Sequence, residues 1–107
     1  MVFNTGAALL DAIVLAVVSG EPEGTYGYKI TQDVRQVLDV SESTLYPVLR
    51  RLQKEECLGV YDRECAGRNR RYYRITPKGQ QQLHEYVQEW NHYSGNISRI
   101  FEGGIRQ

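Results

Sequence analysis

Apolar residues recur along the chain at spacings that predict four helices and one β-hairpin. The first helix is expected to run from a cap at Thr5 to about Ser19, where Gly20 ends it. Because it is apolar over most of its circumference, we expect it to face a second subunit as well as its own core. Its apolar residues are Leu9, Leu10, Ile13, Val14, Val17 and Val18.

Two shorter helices with a 3.6-residue apolar period follow. Thr25 is the expected cap of the second helix, and Ser41 is the expected cap of the third. Pro47 removes a backbone donor near the second turn of the third helix and should bend it. The core stripe of the second helix is Ile30, Val34, Val37 and Leu38. The core stripe of the third helix is Leu45, Val48, Leu49 and Leu52.

The pattern then changes to the alternation that is typical of strands. Residues 58–63 are the first predicted strand, residues 66–69 the turn and residues 71–75 the return strand. Successive side chains of a strand point to opposite faces, so Tyr72 and Tyr73 should lie on different sides of the hairpin.

A long helix closes the chain. Thr76 caps it, Pro77 begins it, and we expect it to reach about Glu102, where Gly103 and Gly104 end it. Its apolar residues alternate at spacings of three and four, which is a heptad seam. The seam consists of Leu83, Tyr86, Trp90, Tyr93, Ile97 and Ile100. A single helix cannot shield such an aromatic face from water, so we expect the face to pack against another element.

This order of elements predicts an α+β fold that is mainly α. Its middle is a winged helix-turn-helix, made of three helices and a two-stranded wing. The long C-terminal helix follows the wing directly.

The composition is that of one soluble domain without enzyme chemistry. The 107 residues are 41% hydrophobic and 24% charged, which is ordinary for a globular protein. Cys57 and Cys65 make neither a disulfide framework nor a zinc site. No acid/base dyad, phosphate loop or catalytic triad is evident, so we expect no enzyme, no metal and no cofactor. The apolar run 7–18 is too short to span a membrane, and we expect a cytoplasmic protein with no membrane partner.

The charge is balanced overall but unevenly distributed. Net charge is zero, yet residues 26–78 hold eleven Lys/Arg against seven Asp/Glu. A neutral protein with a basic stripe still attracts the phosphates of nucleic acid.

The third helix has the layout of a DNA recognition helix. Hydroxyl groups lie at its N-terminal end, and Arg50 and Lys54 follow on the face opposite the core stripe, with Arg51 on one flank. Such a face reaches phosphates and base edges. Taken alone, it is equally well read as a solvated basic surface. The candidate DNA-binding residues here are Ser43, Thr44, Tyr46, Arg50, Arg51 and Lys54.

The predicted wing favours DNA binding over a merely solvated basic surface. Four arginines crowd into seven residues beside Gly67 and Asn69, and like charges this close repel one another unless an anion joins them. A solvated charged turn is the weaker alternative. The candidate DNA-binding residues of the wing are Arg68, Arg70, Arg71 and Arg74.

Three motifs, in this order, resemble those of the PadR family of bacterial transcriptional regulators. Residues 26–30 (YGYKI) resemble its second-helix opening, residues 43–52 (STLYPVLRRL) its recognition helix, and residues 67–76 (GRNRRYYRIT) its wing. The resemblance covers about residues 7–101 and is to the short subfamily with a single C-terminal helix. Asn69 replaces a frequent proline. Glu56 replaces a frequent glycine, and we expect it to need a positive φ.

The resemblance implies a two-fold dimer. Residues 1–76 would be the winged-helix DNA-binding domain, and residues 77–107 a dimerisation helix packed with helix 1. The dimer interface would contain the six seam residues. In one branch of the family, paired tryptophans flank a central pore and stack on flat molecules. This suggests an effector site for a small planar aromatic molecule at Trp90, with Tyr86 and Tyr93. The alternative, slightly favoured, is plain aromatic packing at the interface.

The sequence therefore predicts a DNA-binding transcriptional regulator. More specifically, we expect a ligand-responsive repressor of the PadR type that binds a pseudo-palindromic operator in double-stranded DNA as a homodimer. It would act in the bacterial cytoplasm and be nucleoid-associated when bound. The alternative is a winged-helix adaptor that binds protein and has no sequence-specific DNA binding.

Overall fold

The computed structural model describes residues 6–105, and it confirms the predicted fold class of a mainly α winged helix with a long C-terminal helix. Thr5, the predicted cap of the first helix, lies outside the described residues. The elements are α1 (Ala7–Ser19), β1 (Thr25–Tyr26), α2 (Gly27–Arg35), α3 (Glu42–Lys54), β2 (Leu58–Cys65), β3 (Arg68–Ile75) and α4 (Pro77–Ile105).

The sheet has three antiparallel strands in the order β1-β3-β2, one more than the predicted wing. The added strand is β1, in which Thr25 pairs with Tyr73 and Tyr26 pairs with Tyr72. The prediction that Thr25 caps the second helix is therefore wrong. The residue before α2 is Tyr26, and its side chain makes no cap hydrogen bond. The long-range pairing with β3 holds these residues extended where a local cap was expected.

The hairpin is tighter and longer than predicted. Its turn is Ala66 and Gly67 alone, both with positive φ, 54° and 78°, as in the two-residue type I′ turns that suit twisted strands. Arg68 and Asn69, predicted in the turn, belong to β3. Their side chains therefore follow the alternation of the strand, which fixes the face on which each wing arginine lies.

The core lies between α1, α2, α3 and the inner face of the sheet. The predicted stripe of α3 is confirmed, since Leu45, Val48, Leu49 and Leu52 are all buried. In α2, Ile30 and Val34 are buried as predicted. Val37 is 72% exposed, so its assignment to the core is wrong. Because α2 ends at Arg35, Val37 no longer follows the helical period.

Both ends of α3 follow from local sequence. Ser41 is the N-cap, and its Oγ accepts a hydrogen bond of 3.3 Å from the backbone N–H of Thr44. At the other end Glu56 has φ 65°, which confirms the expected left-handed residue. There Glu56 N–H donates to the Gln53 carbonyl and Cys57 N–H to the Leu52 carbonyl. These two bonds form a Schellman motif, which turns the chain sharply from α3 into β2.

The last helix is longer than predicted. Thr76 is its cap as expected, with Oγ accepting a 2.9 Å hydrogen bond from Gly79 N–H. The prediction that Gly103 and Gly104 end the helix is wrong, because α4 continues through both to Ile105. Glycine costs a helix only about 1 kcal/mol relative to alanine, which weakens a helix without terminating it.

Gly79 and Gly95 of α4 should respond in opposite directions to alanine. A Cβ at Gly79 would lie 2.1 Å from the backbone oxygen of Cys57, whereas a Cβ at Gly95 meets nothing within 4 Å. We expect Gly79→Ala to lower the free energy of unfolding by about 1–3 kcal/mol. Gly95→Ala should raise it by up to about 1 kcal/mol. Urea unfolding at one protein concentration measures both, and equal effects at the two positions would contradict this packing.

Candidate nucleic-acid interface

The exposed face of α3 presents hydroxyl and basic side chains, as the sequence predicted. Ser43 and Thr44 are exposed at its N-terminal end, with Arg50 and Lys54 further along. The Ser41 hydroxyl lies 2.9 Å from the Ser43 hydroxyl and 3.1 Å from that of Thr44. These short polar groups surround the backbone N–H groups of the helix start, a favourable place for phosphate.

A groove of about 440 Å³ brings three of the predicted arginines together. It lies between the start of α2, the exposed face of α3 and the middle of β3. Its lining is aromatic and basic, which suits a sugar-phosphate backbone. The lining residues are Tyr26, Gly27, Tyr28, Tyr46, Arg50, Arg70, Arg71 and Tyr73.

The start of α2 contributes residues that were not among the predicted DNA contacts. A Cβ at Gly27 would lie 3.0 Å from the Tyr46 ring, so a glycine here lets that ring pack close to α2. Tyr28 is 55% exposed on the groove wall. The Tyr-Gly-Tyr motif was the only signal in the sequence, and its place in the groove depends on the three-dimensional approach of α2 to α3.

The structure places Arg51 away from this set. Its Nη1 donates a 3.0 Å hydrogen bond to Asp11 Oδ2, and its Nη2 donates to Asp11 Oδ1. Asp11 lies on α1 and is only 3% exposed. The hydrogen bond to Asp11 raises the pKa of the Arg51 guanidinium, against the opposing effect of burial. Arg51 therefore fastens α3 to α1, and we do not include it in the proposed DNA contacts.

Tyr86 of α4 also approaches the buried Asp11 carboxylate. Its hydroxyl lies 3.4 Å from Asp11 Oδ2, a long hydrogen bond. Burial, and then the neighbouring Asp11 carboxylate, raise the pKa of Tyr86 to about 12. Three helices thus meet at one carboxylate.

The outer face of the sheet carries a second basic surface, which we name the Arg–Tyr ladder. It comprises Tyr26, Tyr61, Tyr72, Arg63, Arg70 and Arg74. Arg70 and Arg74 were predicted contacts, whereas Arg63 was missed. Arg63 is opposite Arg70 in the strand register, and only the register reveals that the two share a face.

The predicted seam of α4 is only partly covered within one chain. Trp90 is 38% and Ile100 67% exposed, and two residues outside the predicted seam, Val87 (45%) and Phe101 (64%), add to the apolar surface. The rings of Trp90 and Tyr93 have centroids 6.2 Å apart. The remaining seam residues, Leu83, Tyr86 and Ile97, are half-buried.

A second, smaller groove of about 210 Å³ lies between α1 and α4. Trp90 and Tyr86 line it, but Tyr93 is not among its lining residues. The other lining residues are Leu9, Ala12, Ile13, Ala16, Leu83 and Val87. This apolar groove therefore joins the half-covered side of α1 to the start of the seam.

Residues 6–105 offer neither a metal site nor a membrane-spanning helix. In that part of the chain, no group of three or more His, Cys, Asp or Glu side chains is arranged to hold a metal ion. No helix there has the length and apolar character needed to cross a membrane.

Known proteins resemble this chain in sequence and in fold. Residues 14–85 match the transcriptional regulator PadR-like family. The structure of smu.1704 from Streptococcus mutans is 38% identical with a TM-score of 0.84, covering 96% of this chain and 95% of that one. The PadR-like transcriptional regulator BC4206 from Bacillus cereus is 32% identical with a TM-score of 0.78, covering 87% and 91%.

A regulator from another bacterium matches over a shorter stretch. The transcriptional regulator Rv3488 of Mycobacterium tuberculosis is 43% identical over 61 residues, which are 56% of this chain and 57% of that protein. Members of the matched family are transcriptional regulators and not enzymes. The winged-helix fold, the basic groove and the match over residues 14–85 together place this chain in the PadR-like family of transcriptional regulators.

Proposed function

We propose that this regulator is a ligand-responsive repressor that binds a pseudo-palindromic operator in double-stranded DNA as a homodimer. The observation that carries the proposal is the groove between α2, α3 and β3. It gathers Arg50 from the recognition helix and Arg70 and Arg71 from the wing around three tyrosines. We place its action in the bacterial cytoplasm, at the nucleoid when it is bound.

Phosphate neutralisation would supply most of the affinity. The basic groove residues lie on a chain whose net charge is zero, so attraction to DNA is local to this face. Base specificity would come from the exposed positions of α3, among them Ser43, Thr44 and Lys54, since a recognition helix reads base edges from the major groove.

The dimer is proposed from the exposed side of α4. Residues 77–107 would serve as the dimerisation helix, and residues 1–76 as the DNA-binding domain. Trp90, Ile100 and Phe101 leave large apolar surfaces open to water, which a second copy of the helix would cover. Two-fold symmetry would then set two α3 helices about 34 Å apart, or a multiple of that, along the operator.

An effector site is proposed at the groove between α1 and α4. Its volume of about 210 Å³ is below the roughly 300–1,000 Å³ of typical ligand sites, so the partner subunit would have to complete it. A planar aromatic molecule would stack on Trp90 and move α4 against α1. Quenching of Trp90 fluorescence together with release of DNA would support this site. A broad set of planar compounds that does neither would leave Trp90 a packing residue.

A mobility-shift assay on the protein's own promoter region tests the proposed function. A repressor should shift the promoter fragment and should prefer it over a scrambled fragment of the same length. The adaptor alternative predicts no preference, and the family match does not favour it. Absence of any shift by folded, dimeric protein would overturn the proposal.

Neighbouring arginines of α3 offer a matched pair for testing the groove. Arg50→Gln should lower the slope of log affinity against log salt concentration by about 2 in the dimer, since each neutralised phosphate contributes about 0.9 to that slope. Arg51→Gln should leave the slope unchanged and lower thermal stability, because Arg51 binds Asp11. Fluorescence anisotropy at several salt concentrations measures the slopes. Equal slopes for the two variants would contradict the assignment.

A further inference from the structure

The Arg–Tyr ladder is built from three guanidinium groups placed over three aromatic rings. Arg70 lies 4.9 Å from the centroid of Tyr26, Arg74 lies 5.1 Å from that of Tyr61, and Arg63 lies 5.4 Å from that of Tyr72. The rings form one row across the sheet, with Tyr72 5.6 Å from Tyr26 and 5.7 Å from Tyr61. The register explains the row, because Tyr72 pairs with both of the other tyrosines.

The rings are fixed by contacts of their own. Tyr72 is only 8% exposed. The Tyr61 hydroxyl donates to the backbone oxygen of Glu23. Gly24 has φ 105° there, and a Cβ on it would fall 2.1 Å from the Tyr61 hydroxyl oxygen. The rings beneath Arg63 and Arg74 are therefore held in place, which reduces the side-chain freedom that these two arginines would lose on binding.

No arginine of the ladder forms an ion pair with a carboxylate of the described residues. Between residues 6 and 105, the basic groups that approach a carboxylate within 4.0 Å are those of Lys29 and Arg51. Arg63 and Arg70 are moreover directly opposite in register, and like charges so placed destabilise a sheet. This arrangement points to an external anion as the missing partner.

We infer that the ladder binds the phosphodiester backbone of duplex DNA and that its tyrosines are positioning residues for its arginines. Stacking occupies the face of a guanidinium and leaves its N–H donors at the edge, where they match the oxygens of a phosphate. Tyr26 and Arg70 also line the groove beside α3. The ladder therefore continues the proposed DNA surface around the wing. This inference rests on the proposed function and extends it to Arg63, Tyr61 and Tyr72.

A salt titration of operator binding by Arg63→Gln tests the ladder. Because the variant neutralises one phosphate fewer in each subunit, the slope of log affinity against log salt should fall by about 2. The matched control is Arg99→Gln, which removes the same charge from α4 and should leave the slope unchanged. An unchanged slope for Arg63→Gln, when the wild-type protein does bind the operator, would overturn the inference. An unchanged slope is what we expect if the ladder binds an acidic protein instead of DNA. If wild-type protein does not bind, the proposed function itself has failed.

The positioning role is tested at Tyr72, beneath Arg63. Tyr72→Phe keeps the ring and should bind the operator as the wild type does. Tyr72→Leu removes the ring and should bind about five-fold more weakly at fixed salt, because Arg63 must then be ordered on binding. Unchanged operator affinity for a folded Tyr72→Leu would overturn the positioning role. If Tyr72→Leu does not fold, the half-buried Tyr26 beneath Arg70 offers the same comparison of Leu with Phe.

Discussion

Arg51→Met is expected to lower the free energy of unfolding by about 3 kcal/mol. Asp11 is only 3% exposed in the wild-type protein, and the variant leaves its carboxylate with the long contact to Tyr86 as its remaining side-chain hydrogen bond. Removing one partner of a buried ion pair costs about 3–5 kcal/mol because the other charge stays buried and unpaired. We place the loss at the lower end because the Arg51 side chain is itself 42% exposed.

Asp11→Leu should cost less than Arg51→Met, which is the sharper test of this pair. Without Asp11, the partly exposed Arg51 turns to water or towards Glu55, whose carboxylate is 3.7 Å away. The double variant Asp11→Leu/Arg51→Met should recover most of the stability, since apolar replacement of a buried pair is often close to neutral. Urea unfolding of the wild type, the two single variants and the double variant, all at one protein concentration, measures the free energies of this double-mutant cycle. Additive losses would show that the two side chains are not coupled.

Trp90→Asp is expected to convert the proposed dimer into a folded monomer. Within one chain, Trp90 is 38% exposed, so a carboxylate there still reaches water and the fold survives. Across the proposed interface the same carboxylate would be buried without a partner, which costs far more than the interface can tolerate. Size-exclusion chromatography should therefore show half the mass, and operator affinity should fall because each half-site is then bound alone.

Gln88→Asp is the matched control for this prediction. It introduces the same charge on the same helix, at an exposed position outside the seam. This variant should remain dimeric and bind the operator. A Trp90→Asp protein that stays dimeric with full operator binding would show that the seam is not the interface.

Local sequence signals predicted much of the fold because they act within a few residues. The Ser41 cap and the core stripe of α3 depend on neighbours in the same helix, whereas the left-handed Glu56 was expected from the resemblance, because it replaces a frequent glycine. Strand β1 escaped prediction since two residues show no period, and only pairing with Tyr72 and Tyr73 makes them a strand.

The DNA-binding residues were predicted from the distribution of charge, and the contacts seen in the structure changed that set of residues. Arg50 and Arg51 are neighbours in sequence and were both predicted to contact DNA, but Arg51 is held by Asp11, which lies forty residues away along the chain. Arg63 was not among the predicted site residues, and only the strand register shows that it lies opposite Arg70. Partners that are distant along the chain decide the role of a charged side chain, and no local pattern encodes them.

Footprinting of the protein's own promoter tests the central claim most directly. Two copies of α3 and the wing, held together by α4, should protect two related half-sites whose centres lie about 34 Å apart, or a multiple of that. Trp90→Asp should need higher concentrations to protect either half-site, and Arg50→Gln should weaken both equally. A promoter left unprotected by dimeric wild-type protein, or protected in one unpaired patch, would contradict the account.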